Sequence, residues 1–416
     1  MTILHLNKTD IQGGAARAAY RLHLGLKSIG VDSKMLVDDK VSNDPSVHGL
    51  VGKINKIWGR ARPFINEIPL KFYNWEGTPF YTGCIGRNIA KDGLLKQSEV
   101  INLHWVAAGF LSIRNISRLA KLGKPIVWTL HDMWAFTGGC HYSGECERYV
   151  NSCGSCPQLN ADKDGDITRG IWTRKERAYK RLNLTIVTPS KWLAECAKRS
   201  SLLSDVKVEV IPNGLNTNIF KSINKSTARS ILNLPKNKKI ILFGAISSTS
   251  DKRKGFSFLH KAINHLSEII SNLKDYYLLV FGASHSKNNE TFPFGINYAG
   301  RFSDDVSLAL LYSSADVFVA PSLEDNLPNT VIESLACGTP VVAFNVGGMP
   351  DMIDHKKNGY LAKYKDLEDL SQGINWILGD ENHRKKLAEA AHDKAEREYL
   401  LEVQARRYVE LYEELL

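Results

Sequence analysis

The amino-acid sequence predicts an α/β protein made of two domains. Its 416 residues are more than one typical hydrophobic core accommodates, and they suit two cores. Short apolar strands alternate with helical segments; near the amino terminus, Ile3 to Leu6 is followed by a diglycine turn and a helix. A polar loop and a helix precede the buried strand at Pro340 to Phe344. Such alternation is typical of parallel sheets covered by helices.

Composition narrows the classes of function. Lysine and arginine exceed aspartate and glutamate, and the formal charge of +10 suits partners such as anionic lipid, nucleic acid or nucleotide diphosphates. No apolar run is long enough to cross a membrane, and the first residues, MTILHLNKTD, lack the basic and apolar regions of a secretory signal. These features predict a cytoplasmic protein without a membrane span.

A diglycine turn follows the first strand. Gly13 and Gly14 separate that strand from a helix whose apolar residues recur at helical spacing as far as Leu26, and Gly30 stands where the helix is expected to end. Because glycine has no side chain, such a turn lets the backbone approach a ligand closely. A tight structural connection is the alternative interpretation.

The segment from Val51 to Phe80 combines basic residues with apolar and aromatic ones. Several of its apolar residues recur at helical spacing: Ile54, Ile57, Trp58 and Ile65. A helix here would place an apolar edge beside a basic one, which suits adsorption to an anionic membrane surface. Alternatively, the apolar face packs on the domain, and Pro63 and Pro69 limit the length of any single helix.

Polar residues follow two buried strands of the first domain. Val100 to Leu103 runs into His104, and Ile126 to Leu130 runs into His131 and Asp132. In open α/β sheets, residues just past the carboxyl ends of strands line the ligand site. The sequence therefore predicts that these three side chains contribute to a site.

A cysteine-rich insert runs from Thr137 to Leu159. Its cysteines are Cys140, Cys146, Cys153 and Cys156. Thiolates gathered in one glycine-rich loop can form a tetrahedral structural zinc site, and the spacing of the last pair is typical of a zinc knuckle. Free thiols and disulfides are the alternatives, although a long cytosolic chain does not suit a disulfide framework. A zinc ion with a closed shell of sulfur ligands is not expected to be catalytic.

The second domain is expected to begin after the turn Pro212 to Gly214, near Lys221. Its first strand, Lys239 to Phe243, is followed by a long polar loop that ends with Arg253 and Lys254. Positive charge after a strand can neutralise a diphosphate and stabilise it as a leaving group. A solvated basic turn is the alternative.

The stretch from Pro321 to Pro350 carries the most specific pattern in the chain. An apolar strand leads into it, and Pro328 occupies the position of a first helical residue, where its missing N–H costs nothing. The free amides of Asn329 and Thr330 and the positive end of the helix dipole suit a diphosphate. A diphosphate site is therefore predicted at this helix start.

Two acids flank the helix start. Asp325 precedes it and can reach a group beyond the phosphates, whereas Glu333, one turn further in, can accept hydrogen bonds from the vicinal hydroxyls of a ribose. The helix is expected to end at Gly338, and a second tight turn follows at Gly347 and Gly348. Solvated acids in an ordinary strand, helix and strand unit are the alternative.

Together, the acid pair, the small-residue helix and the sequence GTPVVA resemble the donor-site segment of the retaining glycosyltransferases of family 4, which have the GT-B fold. The resemblance covers nearly the whole chain and implies two Rossmann-like domains facing across a cleft. It implies an acceptor-side domain at residues 1–221, a nucleotide-sugar-binding domain at 222–395 and a helix returning to the first domain at 396–416. The implied reaction is a retaining, metal-independent transfer of a hexose from a nucleotide diphosphate to a hydroxyl, with no cofactor for catalysis.

The resemblance also implies roles for single residues. His131 would contact the donor sugar from the first domain, Asp325 would orient that sugar, and Lys254 would stabilise the leaving phosphate. The loop at Gly13 and Gly14 would close over the donor phosphates or face the acceptor.

The sequence departs from the family pattern at two positions. The family usually has glutamate at the first acidic position, where this chain has Asp325 beside Glu324, and either acid could take the role. It usually has arginine after the first glycine of the second domain, where this chain has Ala245. Arg253 and Ser247 are the candidates for the missing contact.

The implied partners are a UDP- or GDP-sugar donor and a glycan or lipid-linked acceptor, with peripheral contact to an anionic membrane at the inner face of the cell and no nucleic acid. These partners suit bacterial surface polysaccharide synthesis. Two other classes stay open. A nucleotide-sugar epimerase of similar fold would convert the donor without an acceptor, and a nucleic-acid-binding module would retain RNA in a salt-sensitive manner without binding nucleotide sugar.

Overall fold

The computed structural model describes residues 1–50, 52–75, 77–245, 249–283, 291–302 and 304–416, with the backbone alone described for residues 53 and 54. The chain forms two compact units. Unit 1 comprises Met1–Gly214 with Leu401–Leu416, and unit 2 comprises Leu215–Leu400.

The boundaries of the units differ from the predicted ones. The division falls after Gly214 and not near Lys221, because Leu215 pairs with Leu400 and Phe220 is buried in the core of unit 2. The last helix, expected over 396–416, is observed only from residue 401, since the bridge to Leu400 interrupts the helical backbone.

Unit 1 contains a parallel sheet that has seven strands within the described residues, in the order β3-β2-β1-β4-β5-β6-β7. The strands are β1 Thr2–Thr9, β2 Asp32–Asp39, β3 Val47–His48, β4 Val100–Leu103, β5 Ile126–Thr129, β6 Leu184–Thr188 and β7 Lys207–Val210. The helices are α1 Gly14–Ser28, α2 Lys53–Glu67, α3 Gly93–Gln97, α4 Ile113–Arg118, α5 Ile167–Tyr179, α6 Lys191–Arg199 and α14 Leu401–Leu415. The last helix closes one face of this unit, where Leu22 and Leu26 of α1 share a buried cluster with Tyr408 and Tyr412.

Unit 2 contains a second parallel sheet, with six strands in its described part, in the order β10-β9-β8-β11-β12-β13. The strands are β8 Lys239–Gly244, β9 Tyr276–Phe281, β10 Gly295–Tyr298, β11 Val317–Ala320, β12 Val341–Phe344 and β13 Gly359–Ala362. The helices are α7 Lys225–Ile231, α8 Phe256–Ile269, α9 Asp305–Ser314, α10 Asn329–Ala336, α11 Met349–Met352, α12 Leu367–Gly379 and α13 Glu381–Glu398. The predicted α/β class, with two helix-covered parallel sheets, is confirmed.

Parallel pairing brings the carboxyl ends of neighbouring strands to one edge of each sheet. In unit 1, β1 pairs with β4 and β4 pairs with β5, so the loops after these strands are neighbours. In unit 2, β8 pairs with β11, which places the loops after those two strands side by side. None of the helices in the described residues is long and apolar enough to span a bilayer.

Candidate active site

In unit 2, Asp325 and Lys254 form an ion pair between two neighbouring strand ends. Lys254 ends a short 3-10 turn after β8, and Asp325 lies in the loop between β11 and α10. The Lys254 Nζ donates to Asp325 Oδ2 at 2.6 Å, and an Arg253 Nη1 lies 3.6 Å from Asp325 Oδ1. The Ser322 hydroxyl donates to Oδ2 at 3.3 Å. These contacts fix a carboxylate that is only 5% exposed.

Nearby cations outweigh burial at this carboxylate. Burial acts to raise the pKa of Asp325, but Lys254 and Arg253 act against it, and the net effect lowers that pKa. Asp325 is therefore ionised at neutral pH. Of the two adjacent acids, Asp325 is the one that meets Lys254, while Glu324 offers its carbonyl oxygen to Arg253 Nη1 at 2.9 Å.

Two glycines let the surrounding loops approach closely. Gly255 has a φ of +73° and Gly347 a φ of +58°, in the left-handed region that favours glycine. A Cβ at Gly255 would clash with the carbonyl oxygen of Pro321, and one at Gly347 would clash with that of Asp325. The Gly348 amide donates to the same Asp325 oxygen at 3.1 Å. The diglycine turn after β12 therefore supports the Asp325 loop.

The start of α10 meets the ion pair at a small cavity. The helix begins at Asn329 with Pro328 at the N-cap, one position earlier than the first helical place expected for the proline. Thr330, Lys254 and Asp325 line a cavity of about 10 Å³, together with Ala245 at the end of β8. Such a space holds roughly one water molecule. The predicted helix start, basic residue and first acid are thus brought together.

Glu333 is held one turn further along α10. Its side chain is 3% exposed, and the Tyr312 hydroxyl of α9 donates to its Oε2 at 3.0 Å. The Tyr312 ring packs edge-on against Phe281 and Phe318, which fixes the hydroxyl. The carboxylate is therefore buried and oriented by a partner on another helix.

Part of the positive charge of the basic loop before α8 is already paired with groups of unit 2. The Arg253 guanidinium bonds to Asp251 Oδ2 at 3.1 Å as well as to the Glu324 carbonyl. The closest contact of the Lys254 Nζ is with Asp325. Ser247, the other candidate for the missing contact, lies outside the described residues.

In unit 1, the diglycine turn stands in open space. Gly13 is the N-cap of α1 with a φ of +102°, so its backbone needs glycine. A Cβ added to Gly13 or to Gly14 would meet no atom within 4 Å. Such freedom suits a turn that faces a ligand and differs from the tight contacts of Gly255 and Gly347.

Three imidazoles of unit 1 form a hydrogen-bonded row, from His5 within β1 to His104 and His131 just after β4 and β5. His5 Nδ1 lies 2.9 Å from His104 Nε2, and His104 Nδ1 lies 3.1 Å from His131 Nε2. Burial lowers the pKa of all three, that of His131 to about 4 although Asp132 acts to raise it. These three imidazoles are therefore uncharged at physiological pH.

Asp132 forms a second cluster at the same edge. His141 Nδ1 lies 2.6 Å from its Oδ2, the Trp105 indole donates to Oδ2 at 2.9 Å, and the Trp134 amide donates to Oδ1 at 2.9 Å. Burial acts to raise the pKa of Asp132, but His141, Trp134 and Trp105 together outweigh it and the net shift is downward. Since His141 belongs to the cysteine-rich insert, the insert packs directly on the predicted site.

The insert brings its four cysteines to one cavity of about 20 Å³. All four are free thiols, and the Gly138 amide donates to Cys153 Sγ at 3.1 Å. In the part of the chain that is described, no group of three or more His, Cys, Asp or Glu side chains is arranged to hold a metal ion. Zinc binding at Cys140, Cys146, Cys153 and Cys156 stays a prediction.

Three contributors to these clusters were not predicted as site residues. His5 lies within the apolar strand sequence LHL, and a polar side chain between apolar strand residues could have indicated a site residue. Tyr312 and His141 carried no such signal, because their partners lie 21 and 9 positions away on other elements. Sequence spacing does not show which distant elements meet.

Two parallel α/β units, each with polar side chains at the carboxyl edge of its sheet, define a protein of the GT-B class. Residues 12–219 match the family described as Glycosyltransferase Family 4, and residues 224–394 match Glycosyl transferases group 1. The chain therefore belongs to the glycosyltransferases of family 4, with the group 1 domain in its second half.

Curated relatives agree with this assignment. The chain is 32% identical over 163 residues, 38% of its length and 42% of the relative's, to a Campylobacter jejuni protein named N,N'-diacetylbacillosaminyl-diphospho-undecaprenol alpha-1,3-N-acetylgalactosaminyltransferase. It is 24% identical over 89% of its length and 90% of the relative's to an Escherichia coli K12 protein, provisionally named colanic acid biosynthesis glycosyl transferase WcaC. For three of the matched relatives the chain spans only 42 to 59% of their length.

Solved structures agree on the fold. Anabaena Alr3699/HepE, solved in complex with UDP-glucose, matches with a TM-score of 0.65 at 14% identity over the whole of both chains. Sucrose-phosphate synthase from Thermosynechococcus elongatus matches with a TM-score of 0.65 at 19% identity, over 100% of this chain and 99% of that one. At these identities the likeness concerns the fold alone.

Proposed function

We propose that this glycosyltransferase moves a hexose from a nucleotide diphosphate, UDP or GDP, to a hydroxyl of a glycan or lipid-linked oligosaccharide in bacterial surface polysaccharide synthesis. The observation that carries the proposal is the Lys254 and Asp325 pair at the start of α10, with Glu333 buried one turn further along. The names of two relatives, which specify a diphospho-undecaprenol acceptor and colanic acid biosynthesis, support the acceptor class.

The donor would be held from its diphosphate outward. Phosphate oxygens compete with Asp325 for the Lys254 ammonium, and amides in the first turn of α10 donate to them. Asp325, partly released from Lys254, then accepts a hydrogen bond from the sugar. Glu333, positioned by Tyr312, accepts from the ribose hydroxyls.

Transfer would retain the anomeric configuration. The bond between the anomeric carbon and the phosphate oxygen breaks, the acceptor oxygen bonds to that carbon from the same face, and the acceptor proton passes to the leaving phosphate. Lys254, Arg253 and the α10 amides stabilise the charge that develops on the phosphate, so catalysis requires no metal. His131 contributes as a neutral hydrogen-bonding group, because its pKa of about 4 keeps it uncharged.

The site of action would be the cytoplasmic face of the cell membrane, where a lipid-linked acceptor is presented. This location is consistent with a chain of formal charge +10.

The experiment is a thermal-stability screen with UDP- and GDP-sugars, since a ligand that binds only the folded state raises the melting temperature. One of these donors is expected to stabilise the protein, and Glu333→Gln is expected to weaken its binding by about tenfold or more, because a charged hydrogen bond is lost. Glu389→Gln, at an exposed position on α13, is the matched control.

The same samples distinguish the alternatives. Unchanged donor binding and transfer in Glu333→Gln would contradict the ribose contact. Conversion of the donor to an isomer without an acceptor would identify an epimerase instead.

A structural zinc ion would be a separate component of the protein. The proposal is supported by the four thiols at one cavity, and binding would draw their sulfur atoms together. Elemental analysis of the purified protein is expected to give one zinc per chain, lost in Cys153→Ser and kept in Cys84→Ser, whose thiol lies outside the insert. Protein free of zinc, or disulfide-linked insert peptides by mass spectrometry, would contradict it.

A further inference from the structure

An exposed apolar stripe runs along α2 and the turn after it. Of the twelve large apolar side chains that are exposed within the described residues, five lie between residues 57 and 72. Their exposed fractions are Ile57 67%, Trp58 50%, Phe64 70%, Ile68 48% and Phe72 86%. Scattered single apolar residues are ordinary on a protein surface, but a contiguous group indicates a binding surface.

The opposite face of α2 is already committed to unit 1. Arg62 is 2% exposed and donates from one Nη2 to both carboxylate oxygens of Asp38, at 2.6 and 2.8 Å. Asn66 is 1% exposed and donates to the Ile85 carbonyl at 2.9 Å. The helix continues past Pro63, so these contacts fix its carboxyl-terminal half. The apolar stripe therefore cannot turn inward without breaking a buried ion pair.

A basic flank borders the stripe. Lys56, Arg60 and Lys71 are exposed. At 100° per residue, Lys56 and Arg60 lie on one side of the row formed by Ile57 and Phe64. An apolar row beside positive charge is the pattern of a helix that lies in the surface of an anionic bilayer.

A cavity of about 800 Å³ with mixed polar and apolar walls lies against the same helix. Its wall includes Trp58 of the stripe, Arg62 and Arg87. The Arg62 Nε is buried and has no hydrogen-bond partner within the described residues. Guanidinium groups bind phosphate oxygens well. An apolar stripe next to an arginine-lined cavity matches the chemistry of a phospholipid, which joins acyl chains to an anionic head group.

We propose that α2 and the turn ending at Phe72 dock unit 1 onto an anionic lipid bilayer. The stripe enters the boundary between head groups and acyl chains, and the basic flank contacts lipid phosphates. A second copy of the chain suits the surface less well, because an antiparallel two-fold pairing of α2 would place the two basic flanks side by side. The proposal deepens the function proposed above, since a surface-bound enzyme meets a lipid-linked acceptor.

The test is co-sedimentation with vesicles of phosphatidylglycerol and phosphatidylethanolamine, compared with vesicles of phosphatidylcholine. The protein is expected to bind the anionic vesicles, less so as salt rises. The double variant Phe64→Ser/Phe72→Ser is expected to bind about tenfold more weakly or worse. Lys56→Gln and Arg60→Gln should each cost about fivefold. Ile231→Ser, at a position 61% exposed in unit 2, is the control and should bind normally.

Failure to sediment with anionic vesicles, or normal binding by the double phenylalanine variant, would overturn the proposal. So would a dimer in solution that the double variant abolishes, since the stripe would then belong to a second copy. Thermal unfolding checks that each variant is folded. Donor stabilisation measured on the same samples is separate: vesicle binding without donor binding would refute the proposed function alone, and the converse would refute only the docking surface.

Discussion

The ion pair of unit 2 and the row of imidazoles in unit 1 differ in charge. In unit 2, Asp325 and Lys254 meet at 2.6 Å, and the nearby cations lower the pKa of the carboxyl, so the carboxylate is ionised. In unit 1, burial lowers the pKa of His5, His104 and His131, so these three imidazoles stay neutral, although Asp132 at the same edge is ionised because its pKa is lowered. We therefore expect the charged pair to contact a phosphate and the neutral imidazoles to contact the uncharged hydroxyls of a sugar.

Local partners produce the difference. Asp325 is surrounded by Lys254 and Arg253, whose attraction exceeds the penalty of burial. The imidazoles of His5 and His104 are surrounded mainly by one another, so burial decides their protonation. Substitutions that remove charge from the first edge should therefore have larger effects on transfer than substitutions in the second.

The largest expected effect comes from Lys254→Met, which removes the cation from the charged edge. The kcat/KM for transfer should fall by about 10² to 10³, because the leaving phosphate loses a preorganised positive group. Steady-state kinetics with the donor identified by the stability screen measures this. Lys252→Met, at an exposed position in the same turn, is the control and should change the rate by less than about twofold. A near-normal rate for Lys254→Met would remove this lysine from the mechanism.

The next largest expected effect is a decrease in the free energy of unfolding on mild acidification. It tests whether the buried imidazoles of unit 1 are neutral. The pKa of His131 is about 4 in the folded protein against an ordinary 6.5, so the unfolded chain binds the proton more readily. The contribution of this neutral histidine to the free energy of unfolding is therefore present above about pH 6.5 and is lost as the pH falls toward 4. This histidine alone contributes a loss of about 2 kcal/mol at about pH 5.

Urea unfolding near neutrality and near pH 5 checks that sign. The pKa values of Asp325 and Asp132 are lowered below those of ordinary carboxyls, so these groups titrate below this window and leave it to the histidines. His131→Gln should reduce the pH dependence. Stability that is flat or rises on acidification would contradict the buried neutral chain.

A smaller effect on transfer is expected from His131→Gln. The kcat/KM should fall by about tenfold, the value of one neutral hydrogen bond to the sugar. His48→Gln, at the exposed histidine that ends β3, is the control. An effect as large as that of Lys254→Met would show that the two edges are not divided as the comparison implies.

The smallest effect sharpens the assignment of the first acid. Glu324→Gln should change transfer by less than about twofold, whereas Asp325→Asn should reduce it by about tenfold or more, because only the second removes the charge beside Lys254. Kinetics of the two variants side by side measures the contrast. The reverse order would assign the role to Glu324.

Much of the fold followed from local sequence. The apolar strands, the glycine turn before α1 and the left-handed Gly338 all lie where spacing and residue type placed them. The GT-B class and the glycosyltransferase family are confirmed by the fold and by the family match. The roles of individual site residues stay predictions, because residue type and spacing do not show which ligand atoms a side chain contacts.

The sequence by itself determined the strand and helix units, the segment around α10 and the family, since each depends on residues close together in the chain. Tertiary structure alone decided which side chains meet. Lys254 and Asp325 are separated by 71 positions, and His5 and His104 by 99. Such contacts depend on the order of strands in each sheet, which brings distant loops to one edge and which local spacing does not encode.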